Sequence, residues 1–301
     1  MHQGVRQRSL PVRPQPLKQQ YPRAMTIAVG ILARDGLVMA SDTQVTSPGY
    51  MKLDQGKFAF AMKAVQDTAG SPPCNLIVSG AGAASSLGAL RQEIVDSFYN
   101  ASPVSRPSEI GLNAQKKLSD FHRDHITPHG RGELDVWLII GAAHGRNIKL
   151  WSTDKTVIQA QSQFAAVGAG AMYAQSLLSR LFVPVSTRGA LLLAIYVVWE
   201  VKKLIDGCGQ YTDALGINTH TSQVFWPNRM TVRKLEDCFI RYSGLAEQSL
   251  HEMLGISWLG HLPNVSAEEK KIKRDIKKLM DSIEKLSPPK AEINPEEQED
   301  P

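Results

Sequence analysis

Cysteine is scarce in this 301-residue chain. Cys74, Cys208 and Cys238 are its only three. An odd count with no CxxC spacing excludes a disulfide framework and a zinc finger or ribbon, and fits a reducing, cytoplasmic setting. Long apolar runs are also lacking. The longest, Ala190 to Trp199, is followed at once by Glu200, Lys202 and Lys203, well below the roughly 18 residues of a membrane span. Acidic residues are missing from residues 1 to 24, where Arg6, Arg8, Arg13, Lys18 and Arg23 carry the whole formal net charge of +5. The remaining 29 basic and 29 acidic residues cancel, so the basic balance belongs to a leader and does not indicate a nucleic-acid partner. His122, His125 and His129 are the nearest thing to a metal constellation, but Pro128 interrupts any helix that would align them. They read as solvated histidines at a helix end, and no metal or cofactor is expected.

The leader holds Pro11, Pro14, Pro16 and Pro22 among Gln and Arg. It lacks the apolar core of a secretory signal and reads as disordered over residues 1–25. Three readings stand: a propeptide, a basic organellar-type leader, or translation from upstream of a true start at Met25. The segment that follows, Thr26 to Asp42, is apolar and β-prone on both sides of Asp35-Gly36, a tight-hairpin signal. A Thr that begins a mature chain carries a hydroxyl nucleophile and, beside it, an α-amine with an unperturbed pKa of about 7.7 to 8.0. Taken alone, Thr26 is equally one more β-branched residue opening a strand.

Further along, strands are expected at 57–62 and 75–79, then helices at 84–98 and 108–122. A second strand block follows at 135–142, 148–152 and 163–167. Helices at 171–181 and 187–205 precede a strand pair at 213–219 and 223–226. This order predicts an α+β fold of two face-to-face sheets with a helix pair on each outer surface, a four-layer αββα sandwich spanning residues 26–230. Residues 231–289 read as a helical extension. Within it Ser266-Ala-Glu-Glu269 forms a capping box, and Ile272, Ile276, Leu279, Ile283 and Leu286 form an apolar stripe. That stripe can pack on its own domain or on a neighbour. Residues 290–301 read as an acidic solvated tail.

Thr26, Gly30, Asp35-Gly36, Asp42, Lys57, Gly80 and Asp206, in this order and spacing, resemble the proteasome β-subunit superfamily, including the bacterial HslV and Anbu peptidases. The resemblance covers residues 26–226. It implies an N-terminal-nucleophile hydrolase with Thr26 as nucleophile and Asp42 sixteen residues later. Lys57 is the lysine of the site, with Lys52 the competing assignment. The resemblance also implies that Gly80 supplies an oxyanion N–H, that Asp206 holds the α-amine, and that Val45 and Val78 line a pocket for medium apolar side chains. Two departures stand out: the family's active-site serine is Ala169 here, and the serine three residues after its second aspartate is Gly209.

On charge alone, a Lys57 ammonium beside Thr26 would ease formation of the alkoxide and discourage protonation of the α-amine, while Asp42 orients Lys57. With Asp35-Gly36 at the turn, Thr26 should face Val45 and Asp42 should face Val29, about 10 Å apart along the strand. Asp42 would then be too far for direct proton transfer.

The function implied is a threonine-type endopeptidase acting on protein or peptide substrates inside a self-assembled homo-oligomer, a ring or helical multimer, with an ATP-dependent unfoldase as partner. A non-catalytic structural subunit of the same kind and a small-amide hydrolase on the same fold are the alternatives.

Overall fold

The computed structural model describes residues 26–46, 52–63, 73–101, 107–129, 135–221, 223–253 and 265–284. The basic leader, the acidic tail and Leu286 lie outside these residues.

Alternation along the strands sets the architecture. In β1 (Ile27–Ala33) and β2 (Gly36–Asp42), Ile27, Val29, Ile31, Val38 and Ala40 point one way, and Ala28, Leu37 and Met39 the other. Both sets are fully buried, as expected for strands covered on both faces. β1 and β2 are joined antiparallel, and with β10 (Phe164–Gly168), β11 (Thr212–Asn218) and β12 (Gln223–Phe225) they form one five-stranded sheet in the order β10-β1-β2-β11-β12.

A second antiparallel sheet runs β5-β6-β7-β8-β9, from β5 (Ala59–Lys63), β6 (Cys74–Gly82), β7 (Val136–His144), β8 (Asn147–Asp154) and β9 (Val157–Gln161). Ile77, Ala81, Ile139 and Ala143 of this sheet share a cluster with Ala28, Leu37, Met39 and Leu215 of the first. On its other face, Leu76, Val78, Leu138 and Ile140 pack with Leu90 and Ile94 of α1 (Ala84–Asn100) and with Ala114 and Leu118 of α2 (Pro107–Phe121). The outer face of the first sheet is covered by α3 (Ala171–Leu181) and α4 (Thr187–Leu204). A two-stranded ribbon, β3 (Gln44–Thr46) with β4 (Lys52–Asp54), extends from the end of β2.

Several elements depart from the sequence-based expectation. β3, β4 and β9 fall outside it: β4 is exposed throughout, and β9 has no fully buried residue, so neither carries a hydrophobic signature. The β1–β2 turn is Arg34-Asp35, with Gly36 already paired to Ala33. Only glycine fits this ladder position, because a Cβ there would lie 1.9 Å from the Ile217 carbonyl oxygen of β11. Asp35 is fixed at the turn by accepting from Thr187 N (2.6 Å), Thr187 Oγ1 (2.7 Å) and Asn218 Nδ2 (3.1 Å). The hairpin register therefore differs by two residues from that of an Asp-Gly turn.

α5 (Arg229–Met253) and α6 (Val265–Glu284) follow. Ser266 lies inside α6, so it is not the residue that caps it. The described part of the apolar stripe docks onto the same chain: Ile283 joins the α4 cluster, Ile276 and Leu279 pack against it, and Ile272 packs with Cys238 and Leu245 of α5. Arg188–Asp281 (2.6 Å) and Arg241–Asp275 (3.0 Å) flank this contact.

Candidate active site

Thr26 immediately precedes β1, and Asp42 ends β2. Extending the ladder Ala28↔Ser41 by one residue puts Ile27 opposite Asp42. The expected three-residue offset between Thr26 and Asp42 is thus corrected. Thr26 Oγ1 donates to Asp42 Oδ1 at 2.5 Å, and the Ile27 N–H donates to the same oxygen at 3.0 Å. Lys57 lies just before β5, and its Nζ donates to both Thr26 Oγ1 and Asp42 Oδ1, the latter at 2.6 Å. Thr26, Asp42 and Lys57 are 4, 0 and 3% exposed. Lys52 is exposed on β4 and is not part of this cluster.

Burial sets the chemistry of the group. Desolvation lowers the Lys57 pKa below the ordinary lysine value, against the attraction of Asp42, which raises it. A lysine depressed in this way has a larger neutral fraction and is a better proton acceptor. Cys208 sits next to the cluster, but burial, reinforced by Asp42, pushes its thiol up to about 12. It therefore stays protonated and does not compete as a nucleophile.

The second oxygen of Asp42 is held from a loop that in the sequence stands out only as a departure. Gly209 N–H donates to Asp42 Oδ2 at 3.0 Å. A Cβ on Gly209 would lie 2.4 Å from Gln44 Oε1, and Gln44 Nε2 donates to the Gly207 carbonyl at 2.9 Å. The Gln44 side chain thus fills the room that a serine at 209 would need. Thr43 completes the fastening: its N–H donates to Tyr211 O (3.0 Å), and its Oγ1 accepts from Tyr211 N–H (3.1 Å). Sequence reasoning misses Thr43 and Gln44, although both follow Asp42 directly.

The Gly168-Ala169-Gly170 turn backs the Thr26 main chain. Ile27 pairs with Gly168. Gly168 has φ +103°, and a Cβ there would lie 2.2 Å from Thr26 O and 2.9 Å from Ala81 Cβ. This places the strand carrying Gly80 and Ala81 next to Thr26. Gly80 itself is closely packed, since a Cβ would meet Trp137 O at 2.3 Å and Leu87 at 3.0 Å. Ala169 is exposed at the turn.

Three expected residues stand apart. Asp206 is exposed in the turn after α4 and has no hydrogen bond or ion pair among the described residues, so the structure does not bring it to Thr26. Val78 is fully buried beneath α1 with Leu76, Leu87 and Leu90 and offers no surface to a substrate, which corrects its pocket assignment. Val45 is half-buried on β3, opposite Leu53. No group of three or more His, Cys, Asp and Glu able to hold a metal occurs among the described residues, and no described helix is long and apolar enough to cross a membrane.

No protein-family model and no curated protein sequence matches the chain. Solved structures do. The fold is that of the proteasome- and HslV-like N-terminal-nucleophile hydrolases. Anbu from Hyphomicrobium sp. strain MC1 aligns at 14% identity with a TM-score of 0.59, over 79% of this chain and 100% of that one. Anbu from Yersinia bercovieri, described as an ancestral beta-subunit, aligns at 12% identity with a TM-score of 0.59, over the same shares of each chain. At these identities the likeness is one of fold.

Proposed function

We propose that this protein is a proteasome-like threonine-type peptidase in which Thr26 is the nucleophile. The observation that carries the reading is the buried contact of Thr26 Oγ1 with both Asp42 and Lys57. A hydroxyl between a carboxylate and a desolvated amine is an activated alcohol by geometry and by charge. Thr26 Oγ1 bonds to the carbonyl carbon of a peptide while Lys57 takes the hydroxyl proton. The C–N bond then breaks, the leaving amine takes that proton, and water hydrolyses the Thr26 ester to release the acid and restore the hydroxyl. Asp42 orients Thr26 and Lys57 throughout. Hydrolysis of the Met25–Thr26 bond would add the Thr26 α-amine as a second base. The nearness of Ala81 to the Thr26 backbone supports an oxyanion donor from the Gly80 segment.

In the same reading the three apolar clusters are the interfaces of a four-layer αββα sandwich over residues 26–230, with 231–289 a helical extension. The protein assembles with copies of itself in the cytoplasm, encloses peptide substrates and receives them from an ATP-dependent unfoldase.

The test is hydrolysis of fluorogenic peptides, together with intact mass, N-terminal sequencing and native mass spectrometry. Thr26→Ala should abolish turnover and leave the assembly mass unchanged. Turnover that survives in Thr26→Ala would end the proposal. A structural, non-catalytic subunit is the second reading, favoured by the hydroxyl-free Ala169 and the outward-facing Asp206. It predicts a chain that keeps Met25 and hydrolyses neither peptides nor small amides.

A further inference from the structure

The segment that delivers Lys57, residues 54–57, runs from the end of β4 to the start of β5 and carries little apolar surface to fix it. Asp54, Gln55 and Gly56 are all exposed, while Lys57 is buried. Its position is set by polar ties. The Gln55 N–H donates to Thr43 O at 2.8 Å, and Arg91 of α1 reaches Gly56 O at 3.5 Å.

A third tie comes from the first residue of α5. Arg229 Nη1 donates to Asp54 Oδ2 at 2.6 Å, while its Nε and Nη2 form a fork on Asp213, at 2.9 and 3.2 Å. The guanidinium also lies 5.2 Å from the Tyr211 ring. Asp213 pairs with Ser41, the residue before Asp42, and Tyr211 is bonded to Thr43. One planar cation thus joins the β2–β11 pair that carries Asp42 to the segment that carries Lys57. A bidentate Arg fixes orientation in a way a point charge does not.

We propose that Arg229 is a positioning residue that holds the Lys57 amine in reach of Thr26 and Asp42. This rests on the reading of Thr26, Asp42 and Lys57 as the reactive group. It gives α5 a role at the site, because its first residue is the clamp. The charged and titratable groups around the Lys57 amine are Asp42 on β2, Cys208 in the loop after α4, and Arg91 on α1. Arg229 therefore acts on Lys57 through the backbone of 54–57.

The test is the reactivity of Lys57 toward an amine-acylating reagent, N-hydroxysulfosuccinimide acetate, measured across pH by mass spectrometry on the full chain, with exposed Lys149 as reference. Arg229→Met should raise the plateau acylation rate of deprotonated Lys57, reached at high pH, relative to that of Lys149 by about fivefold or more, as expected for coupled neighbours. It should also move the pH midpoint of Lys57 up toward that of an ordinary lysine, as its burial is relieved. Arg229→Lys should restore part of the protection. Asp54→Asn removes only the arm to the Lys57 segment, so it should shift Lys57 in the same direction, and it decides the matter if Arg229→Met does not fold. A lowered melting temperature with Lys57 rate and midpoint unchanged in both variants would overturn the proposal. Peptide hydrolysis by the wild-type chain is scored separately. A responsive Lys57 in a protein that hydrolyses nothing keeps the clamp and removes the peptidase reading; hydrolysis with an unresponsive Lys57 does the reverse.

Discussion

Gly209 donates its backbone N–H to the Asp42 carboxylate at 3.0 Å, and the side chain that excludes a larger residue at 209 is Gln44, two residues beyond Asp42. The Gln44 side chain thus occupies the space beside Gly209, and the carboxylate has four donors: Thr26 Oγ1, Ile27 N, Lys57 Nζ and Gly209 N.

Gly209→Ser should therefore destabilise the protein. Its Cβ displaces the Gln44 amide and breaks the Gln44–Gly207 bond, at a cost of about 1–2 kcal/mol in chemical denaturation. Adding Gln44→Ala should recover part of that loss by emptying the contested space. Strict additivity of the two changes would contradict the shared-space account.

Gly168→Ala should be the more damaging change. The residue has φ +103° and the new Cβ would meet the Thr26 carbonyl, a backbone atom that cannot swing aside. A loss of about 3 kcal/mol is expected from strain and overpacking together, and on the proposed function peptide hydrolysis should fall, because the clash is with the Thr26 main chain. Thermal unfolding and turnover of the variant check both.

Asp206→Ala should be close to silent. The side chain is exposed in a turn, so unfolding free energy should change by less than about 0.5 kcal/mol and turnover should stay near wild type. A large loss of turnover with unchanged stability would instead restore the role that the family resemblance implies.

Lys57 makes stability depend on pH with a definite sign. Its folded-state pKa is depressed, mainly by burial, so between the folded value and the unfolded value of about 10.4 the unfolded chain binds more protons. Stability from this group therefore rises with pH through that window and falls as pH drops through the folded pKa. The double variant Asp42→Asn/Lys57→Met should show a flatter profile toward pH of about 10. Lys57→Met alone should cost about 3–5 kcal/mol, because it leaves the buried Asp42 carboxylate without its Lys57 partner. Urea unfolding across pH measures both.

Much of the fold is legible in the residue pattern. Helices α1 and α3 fall where their apolar spacing puts them, α3 to the residue, because each buries one stripe. β1 and β2 announce themselves by continuous apolar runs, as strands buried on both faces do. β4 and β9 carry no such signature, since their residues are largely exposed and exist as strands only through pairing with β3 and β8. Thr26, Asp42 and Lys57 stand out by spacing and family resemblance, and they meet in space.

The sequence by itself determined most of the elements and the spacing of Thr26, Asp42 and Lys57, because periodicity, turn chemistry and residue spacing are local properties. Only the tertiary structure decided how those residues meet. The hairpin register was set by Ile217, Thr187 and Asn218, which lie more than 150 positions away from Asp35 and Gly36. The same holds for Gly209 on Asp42, Gln44 in the space of a hydroxyl, Asp206 facing outward, and Arg229 bridging Asp213 to Asp54. Each depends on where distant backbone passes, and chain spacing carries no record of that.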